Sequence, residues 1–249
     1  MADNKVSVPE LNGPGSQAPE LNAIVGCAGA GKTTVRVAFR LDDPRWPHHL
    51  NFDEYRHALK DQFNDPVFAA TKLCALPAAV FDSLNWSTRS LIMSMADSYM
   101  ARRQSFSMET TGDDGLFPII RKARFAGYRV HGAIVLTKDP YINIARIRNR
   151  AFASRLGKTI IDQSVFNEKE ILANYSNIMA SIYKTLEMFA TCLIVDNSGI
   201  SPRKLLRKDE NGQFYSNDVP VSLERAHKII ADLDYFKNRS SGRAPYVKE

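Results

Sequence analysis

In Gly26-Cys27-Ala28-Gly29-Ala30-Gly31-Lys32-Thr33-Thr34, the glycines, the lysine and the threonine that follows it fit the pattern G-x-x-x-x-G-K-[ST] in full. The apolar run Ala23-Ile24-Val25 stands just before this stretch and is typical of a buried strand, and a helix is predicted from Val35 to Leu41. A strand, a glycine-rich loop and a helix in this order form a phosphate-binding loop, because glycines let backbone N–H groups turn towards a phosphate. Residues 26–34 are therefore predicted to bind a nucleoside triphosphate.

Two side chains of this loop have separate predicted tasks. Lys32 can bridge the β- and γ-phosphates, and the hydroxyl of Thr33 is placed to hold Mg²⁺. These loop residues do not identify the group to which the γ-phosphate is transferred.

Length and composition set the class of protein. With 249 residues and 44% hydrophobic content, the chain can bury one substantial core. We expect a flexible segment over 1–20, one catalytic domain over 21–220, and a C-terminal helix and tail over 221–249. We expect no membrane span, because no apolar run approaches the ~20 residues that one requires.

Charge and cysteine usage add two expectations. The three cysteines are scattered without paired spacing, which favours a reducing cytoplasm over a disulfide framework. The net charge of +6 suits either nucleic acid or a small polyanionic substrate such as a nucleotide.

Strands alternate with helices along the chain. This order predicts an α/β fold with a mostly parallel sheet and helices on both faces. The predicted strands after the first are Arg45 to Phe52, Ser105 to Met108, Arg129 to Leu136 and Cys192 to Val195. Because ligands of such sheets bind at the carboxyl ends of the strands, the polar residues that close each strand are the candidate site.

Asp53 and Arg56 follow the second strand. In phosphoryl transfer to an alcohol, an aspartate accepts the hydroxyl proton while a nearby cation neutralises substrate charge. Three residues apart at the start of a helix, the two side chains can face one site. The alternative for Asp53 and Glu54 is an ordinary acidic helix N-terminus.

A basic segment follows the fourth strand. Arg146 and Arg150 are four residues apart and share a predicted helix face, whereas Arg148 points elsewhere. These two guanidinium groups, with Arg155 as a third, suit the oxygens of a transferring phosphoryl group. A solvated basic face or a nucleic-acid patch is the alternative.

Three further segments resemble the zeta-toxin kinases, a family of P-loop kinases. Phe106-Ser107-Met108-Glu109-Thr110-Thr111-Gly112 looks like their E-x-T-G turn, and the arginines after Pro140 look like their arginine helix and helical lid. Val195-Asp196-Asn197-Ser198-Gly199 resembles their closing turn near the nucleotide base. The matches run in family order over about residues 21–220.

The resemblance implies a kinase that uses ATP and Mg²⁺. Asp53 would be the base, Arg56, Glu109, Thr110 and Thr111 would bind the acceptor, and Asn197 would contact the nucleotide. It further implies a nucleotide sugar such as UDP-N-acetylglucosamine as the acceptor, phosphorylated on the 3′-hydroxyl, and an antitoxin protein as a partner.

Two other functions stay open. A polynucleotide 5′-hydroxyl kinase would share the Asp53–Arg56 pair and suit the positive charge. A non-catalytic nucleotide switch would ordinarily carry a guanine-reading N-K-x-D segment, which this sequence lacks.

Overall fold

The computed structural model describes residues 18–41, 43–62, 76–111, 116–155 and 167–233. Within these ranges the chain forms seven helices and eight strands. The strands are β1 Glu20–Gly26, β2 His48–Asn51, β3 Phe106–Thr110, β4 Arg129–Leu136, β5 Thr191–Asp196, β6 Arg203–Lys208, β7 Phe214–Ser216 and β8 Val219–Val221. The helices are α1 Lys32–Ala38, α2 Phe52–Asp61, α3 Ala78–Ala101, α4 Leu116–Phe125, α5 Pro140–Arg155, α6 Glu168–Met188 and α7 Leu223–Ala231.

All eight strands lie in one sheet, in the order β2-β3-β1-β4-β5-β6-β7-β8. The first five strands pair in parallel, as the alternation of strands and helices predicts. β1 lies in their middle and is buried without a break from Leu21 to Gly26. A strand buried on both sides needs helices on both faces of the sheet. The predicted fold class is confirmed.

The antiparallel strands β6 to β8 are absent from the sequence-based prediction. β6 pairs antiparallel with β5, and β7 and β8 follow as hairpins. Four of the six residues of β6 are basic, so it lacks the apolar pattern by which a strand is recognised. The turn from β7 to β8 places Asn217 and Asp218 at φ angles of 50° and 61°, the left-handed backbone of a tight hairpin turn.

The predicted bounds of β4 are confirmed, whereas those of β2 are wrong at both ends. β2 begins at His48 instead of Arg45 and ends at Asn51 instead of Phe52. The end is set by capping, because Oδ1 of Asn51 accepts hydrogen bonds from the backbone N–H groups of Asp53 and Glu54 and so starts α2.

Some predictions concern parts of the chain that lie outside the described residues. These are the segment 1–17, most of the predicted lid at 156–166, and the tail from 234 onwards. The domain boundaries therefore stay a prediction. In the described part of the chain, no helix combines the length and the apolar character that crossing a membrane requires.

Packing of β4 against the end of α6 depends on one glycine. A Cβ atom at Gly132 would lie 2.4 Å from the ring of Phe189, which is itself fully buried. Neither the strand backbone nor the ring can move away without disturbing the core.

We predict that Gly132→Ala destabilises the fold by about 1–3 kcal/mol, because the added methyl overpacks this contact. Denaturant unfolding measures the loss. Gly199→Ala is the matched control, since the nearest atom to its Cβ would be 3.9 Å away. Adding Phe189→Leu should recover part of the loss in the Gly132→Ala chain. Equal stability of the two single alanine variants would show that the space between Gly132 and Phe189 can accommodate a methyl group without cost.

Candidate active site

The predicted phosphate loop links β1 to α1, at the carboxyl end of the central strand. Gly29 and Gly31 have φ angles of +77° and +86°, which L side chains rarely adopt. A side chain at Gly31 would also clash with a neighbouring segment, because its Cβ atom would lie 2.2 Å from Nδ2 of Asn197. Glycine is therefore required at these positions both by the backbone conformation of the loop and by the close packing of Asn197.

Lys32 and Thr33 open α1 beside this loop. Nζ of Lys32 donates to the carbonyl oxygens of Gly26, at 2.9 Å, and Cys27, at 3.4 Å. Thr33 and Thr34 are exposed. The threonine predicted to hold the metal is therefore open to solvent, and the lysine predicted to hold phosphate is bonded to the loop itself.

Cys27 contributes its backbone to the loop, and its thiol packs into the core. Its Sγ lies 3.5 Å from the carbonyl oxygen of Ile171 on α6. Burial raises the pKa of the thiol to about 11, although the charge of Lys32 opposes the shift. A thiol with this pKa is almost wholly protonated near neutral pH and is a poor nucleophile.

The carbonyl oxygen of Ala30 joins the loop to two other elements. Nδ2 of Asn197, in the turn after β5, donates to it at 2.7 Å, and Nη1 of Arg146, on α5, donates at 3.4 Å. Nη2 of Arg146 also donates to the carbonyl oxygen of Gly199 at 3.3 Å. Arg146 therefore links the loop to the turn after β5.

Asp196 holds that turn in shape. Its Oδ1 accepts a hydrogen bond from the backbone N–H of Ser198 at 2.9 Å, and its Oδ2 pairs with Arg203 at 3.1 Å. The Ser198 hydroxyl accepts from the backbone N–H of Lys138 at 2.8 Å. The segment that resembles the closing turn of the zeta toxins thus lies against the phosphate loop.

Of the four arginines of α5, Arg146, Arg148 and Arg150 divide as their spacing predicts. Arg148 turns away and pairs with Glu168 at 2.9 Å. Burial, and then the positive charge of Arg150, lower the pKa of Arg146, while Asp196 opposes them. The charge of Arg150 thus acts on Arg146, which fits two guanidinium groups on one helix face. Arg155 closes α5, and its side chain lies outside the described part of the structure.

Glu109 is a buried carboxylate surrounded by cations. It lies at the end of β3, next to β1, and is only 8% exposed. Its Oε1 is 3.1 Å from Nη1 of Arg36 and 3.6 Å from Nε2 of His49, and its Oε2 is 3.5 Å from Oγ1 of Thr33. Burial alone would raise the pKa of Glu109, but the contact with His49 and the charges of Lys32 and Arg36 outweigh it and lower the pKa. The side chain is therefore ionised at neutral pH.

Sequence reasoning missed two members of this cluster. Nη1 of Arg36 contacts Nε2 of His49, and Nδ1 of His49 is 2.8 Å from the hydroxyl of Ser107. Arg36 lies three residues after Thr33 on α1, so helical spacing could have placed it beside the loop. His49 needs the pairing of β2 with β3, which the sequence does not provide.

Thr110 is the last residue of β3, and Thr111 follows it at the same edge of the sheet. Thr110 pairs in register with Val25 of β1, just before the phosphate loop. Thr111 follows the strand and is half-buried. Gly112, which completes the turn, lies outside the described residues.

Asp53 and Arg56 form an ion pair in the first turns of α2. Nη2 of Arg56 is 2.7 Å from Oδ1 of Asp53, and the Asp53 side chain is 49% exposed. Asn51 is the helix cap, so Asp53 is not needed for that task. Its strand, β2, lies two places from β1 in the sheet, on the order of 10 Å across.

The donor set around Thr33 fits Mg²⁺ bound together with phosphates. Among the described side chains, no group of three or more His, Cys, Asp or Glu residues is arranged to hold a metal ion. Mg²⁺ usually keeps several waters and takes one or two protein oxygens plus substrate phosphates. The Thr33 hydroxyl and the ionised Glu109 behind it provide such oxygens.

Comparison with known proteins gives structural matches only. No protein-family model and no curated protein matches the chain. A chain of the AvrRxo1-ORF1:AvrRxo1-ORF2 complex with sulphate ions has a TM-score of 0.59 and 12% identity, covering 86% of this chain and 64% of that one. In the same complex with ATP the TM-score is 0.58 and the identity 11%, again covering 86% and 64%. The PezAT toxin–antitoxin system of Streptococcus pneumoniae gives 0.50 and 14%, covering 88% and 80%.

The chain shares the P-loop kinase fold of these structures. The resemblance inferred from the sequence motifs is confirmed at the level of the fold, and the chain spans just under two thirds of the AvrRxo1 chain that it matches. At these identities, the roles of individual side chains rest on the geometry of this chain.

We predict that Asn197→Ala weakens MgATP binding about tenfold, because Ala30 loses a buried hydrogen bond that shapes the loop. Asn197→Asp should weaken it further, since a carboxylate oxygen would then face the Ala30 carbonyl. Titration calorimetry gives both dissociation constants. Wild-type affinity in both variants would mean that the loop keeps its shape without Asn197.

Proposed function

We propose that the protein is an ATP- and Mg²⁺-dependent phosphotransferase that acts on a hydroxyl group of a nucleotide sugar or a related nucleotide. One observation carries the proposal. A phosphate loop, an ionised carboxylate beside its threonine, and a half-exposed aspartate all lie at the carboxyl ends of the parallel strands of one sheet.

ATP as the donor is supported by the loop geometry and by the fold. The AvrRxo1-ORF1:AvrRxo1-ORF2 complex, which shares this fold, has been crystallised with ATP. Lys32 would release its two carbonyl partners and reach the β- and γ-phosphates. The backbone N–H groups of the loop, from Gly26 to Thr34, would hold the β-phosphate, and Asn197 would act on the nucleotide through Ala30.

Glu109 fits a role beside the metal better than the acceptor contact that the family resemblance implies. Its Oε2 faces the hydroxyl of Thr33, and Arg36 and His49 occupy the side of Oε1. From there it would orient waters of a Mg²⁺ ion held by Thr33. Bound Mg²⁺ would neutralise charge on the phosphates.

Asp53 would be the general base. Its carboxylate would accept the proton of the acceptor hydroxyl as that oxygen bonds to the γ-phosphorus and the bond from phosphorus to the ADP oxygen breaks. Lys32 with Arg146, Arg150 and Arg155 would stabilise charge on the transferring group. For this role the guanidinium of Arg146 would give up its hydrogen bonds to the carbonyl oxygens of Ala30 and Gly199 and turn towards the phosphates.

The acceptor and a protein partner are the finer parts of the proposal. Thr110, Thr111 and the region of α2 would bind the acceptor, with UDP-N-acetylglucosamine as the first compound to test. The matched AvrRxo1 structures are two-protein complexes and PezAT is a toxin–antitoxin system, which supports an antitoxin as partner. The free thiols of Cys27 and Cys192 fit a reducing cytoplasm.

A polynucleotide 5′-hydroxyl kinase is the second candidate. It would share the Asp53–Arg56 ion pair, and the net charge of +6 suits a nucleic-acid acceptor. Both candidates share the donor and the chemistry and differ only in the acceptor, so one assay separates them.

We predict that γ-labelled ATP transfers its label to a nucleotide sugar in preference to a 5′-hydroxyl oligonucleotide. Lys32→Ala should remove most MgATP binding, because it loses the phosphate contact. Asp53→Asn should bind MgATP as the wild type does and lose roughly 10² or more in turnover, as expected when a general base is removed.

Thin-layer separation of the products and calorimetry check these outcomes. Arg148→Ala is the matched control, since Arg148 points to Glu168 on α6. Labelling of the oligonucleotide alone would establish the second candidate. No transfer to any acceptor, with intact MgATP binding, would contradict both.

A further inference from the structure

Arg56 joins α2 to α3. Besides its 2.7 Å contact with Oδ1 of Asp53, its Nη1 donates to Oδ1 of Asn85 at 3.2 Å. Asn85 is 29 residues away in the chain and belongs to none of the motifs identified in the sequence. The guanidinium thus bridges the proposed base and a residue of another helix.

Two aromatic rings hold the same guanidinium. Its central carbon lies 5.6 Å from the ring centre of Phe52, on α2, and 5.3 Å from that of Phe81, on α3. A cation over an aromatic face at these distances is attracted by the ring quadrupole. The Arg56 side chain is 16% exposed, whereas that of Asp53 is 49% exposed. The arginine is therefore fixed, and the aspartate stays accessible to a ligand.

We infer that Asn85 is a positioning residue, which holds Arg56 so that the carboxylate of Asp53 points at the acceptor hydroxyl. The inference rests on the proposed function. An exposed ion pair three residues apart on a helix has little energy to fix one rotamer. Anchored by Asn85, Phe52 and Phe81, Arg56 binds Oδ1 of Asp53 in one place and leaves Oδ2 for the proton transfer.

The role inferred for Arg56 is therefore to orient Asp53, whereas the sequence predicted that Arg56 binds the phosphoryl acceptor directly. Both of its terminal nitrogens already have partners, and its Nε is buried without a hydrogen bond to any described residue. Its charge is directed at Asp53. Fixing a reacting group in a productive orientation accelerates the chemical step and leaves ATP binding unchanged.

The test compares two substitutions of equal size. Asn85→Leu removes the side-chain oxygen that accepts the hydrogen bond from Arg56. It should lower kcat about tenfold, the scale of one lost hydrogen bond to a charged group, and should keep the KM for ATP within about twofold of the wild-type value. Asn85→Asp keeps an oxygen at the same place and should retain kcat within about threefold. If Asn85→Leu fails to fold, Asn85→Ala makes the same comparison.

A merely structural role is excluded by repeating the comparison without the base. In an Asp53→Asn chain, Asn85→Leu should have no further effect on kcat, because there is no carboxylate left to position. Full activity of Asn85→Leu, or the same loss in both backgrounds, would overturn the inference while the proposed function stands. A wild-type chain that transfers no phosphate at all would overturn both.

Discussion

The carbonyl oxygen of Ala30 is the contact on which the site depends. Arg146 from α5 and Asn197 from the turn after β5 both donate to it. They follow Ala30 in the sequence by 116 and 167 positions, respectively, yet both hold the same peptide group of the phosphate loop. Glycines give a loop the ability to turn its N–H groups inward, but they also make it flexible. Before a nucleotide binds, both donors hold the loop in shape, and Asn197 would keep its hydrogen bond to Ala30 when Arg146 turns to the phosphates.

A second constraint is the charge on Glu109. A carboxylate buried this deeply is destabilised unless cations and hydrogen bonds compensate it. Arg36 provides an ion pair, and Lys32 adds its charge. The same compensation keeps Glu109 ionised beside Thr33, where the proposed Mg²⁺ and its phosphates would bind.

Sequence alone predicts the parts of this site that local rules control. The phosphate loop, the unbroken strand β4 and the helix spacing of Arg146 and Arg148 depend on residues a few positions apart, and the structure places them as expected. Asn85 and His49 act through contacts between elements distant in sequence. Their positions depend on helix packing and strand register, which no local pattern encodes. The antiparallel strands were missed because the basic sequence of β6 hides its strand character.

A crystal structure with Mg²⁺ and a non-hydrolysable ATP analogue tests the central claim most directly. We expect the β-phosphate inside the loop of residues 26–34, within about 3 Å of its N–H groups. We also expect Mg²⁺ on Oγ1 of Thr33, with Glu109 facing the waters of the metal. A nucleotide bound elsewhere, or a metal held without Thr33, would contradict the proposed site.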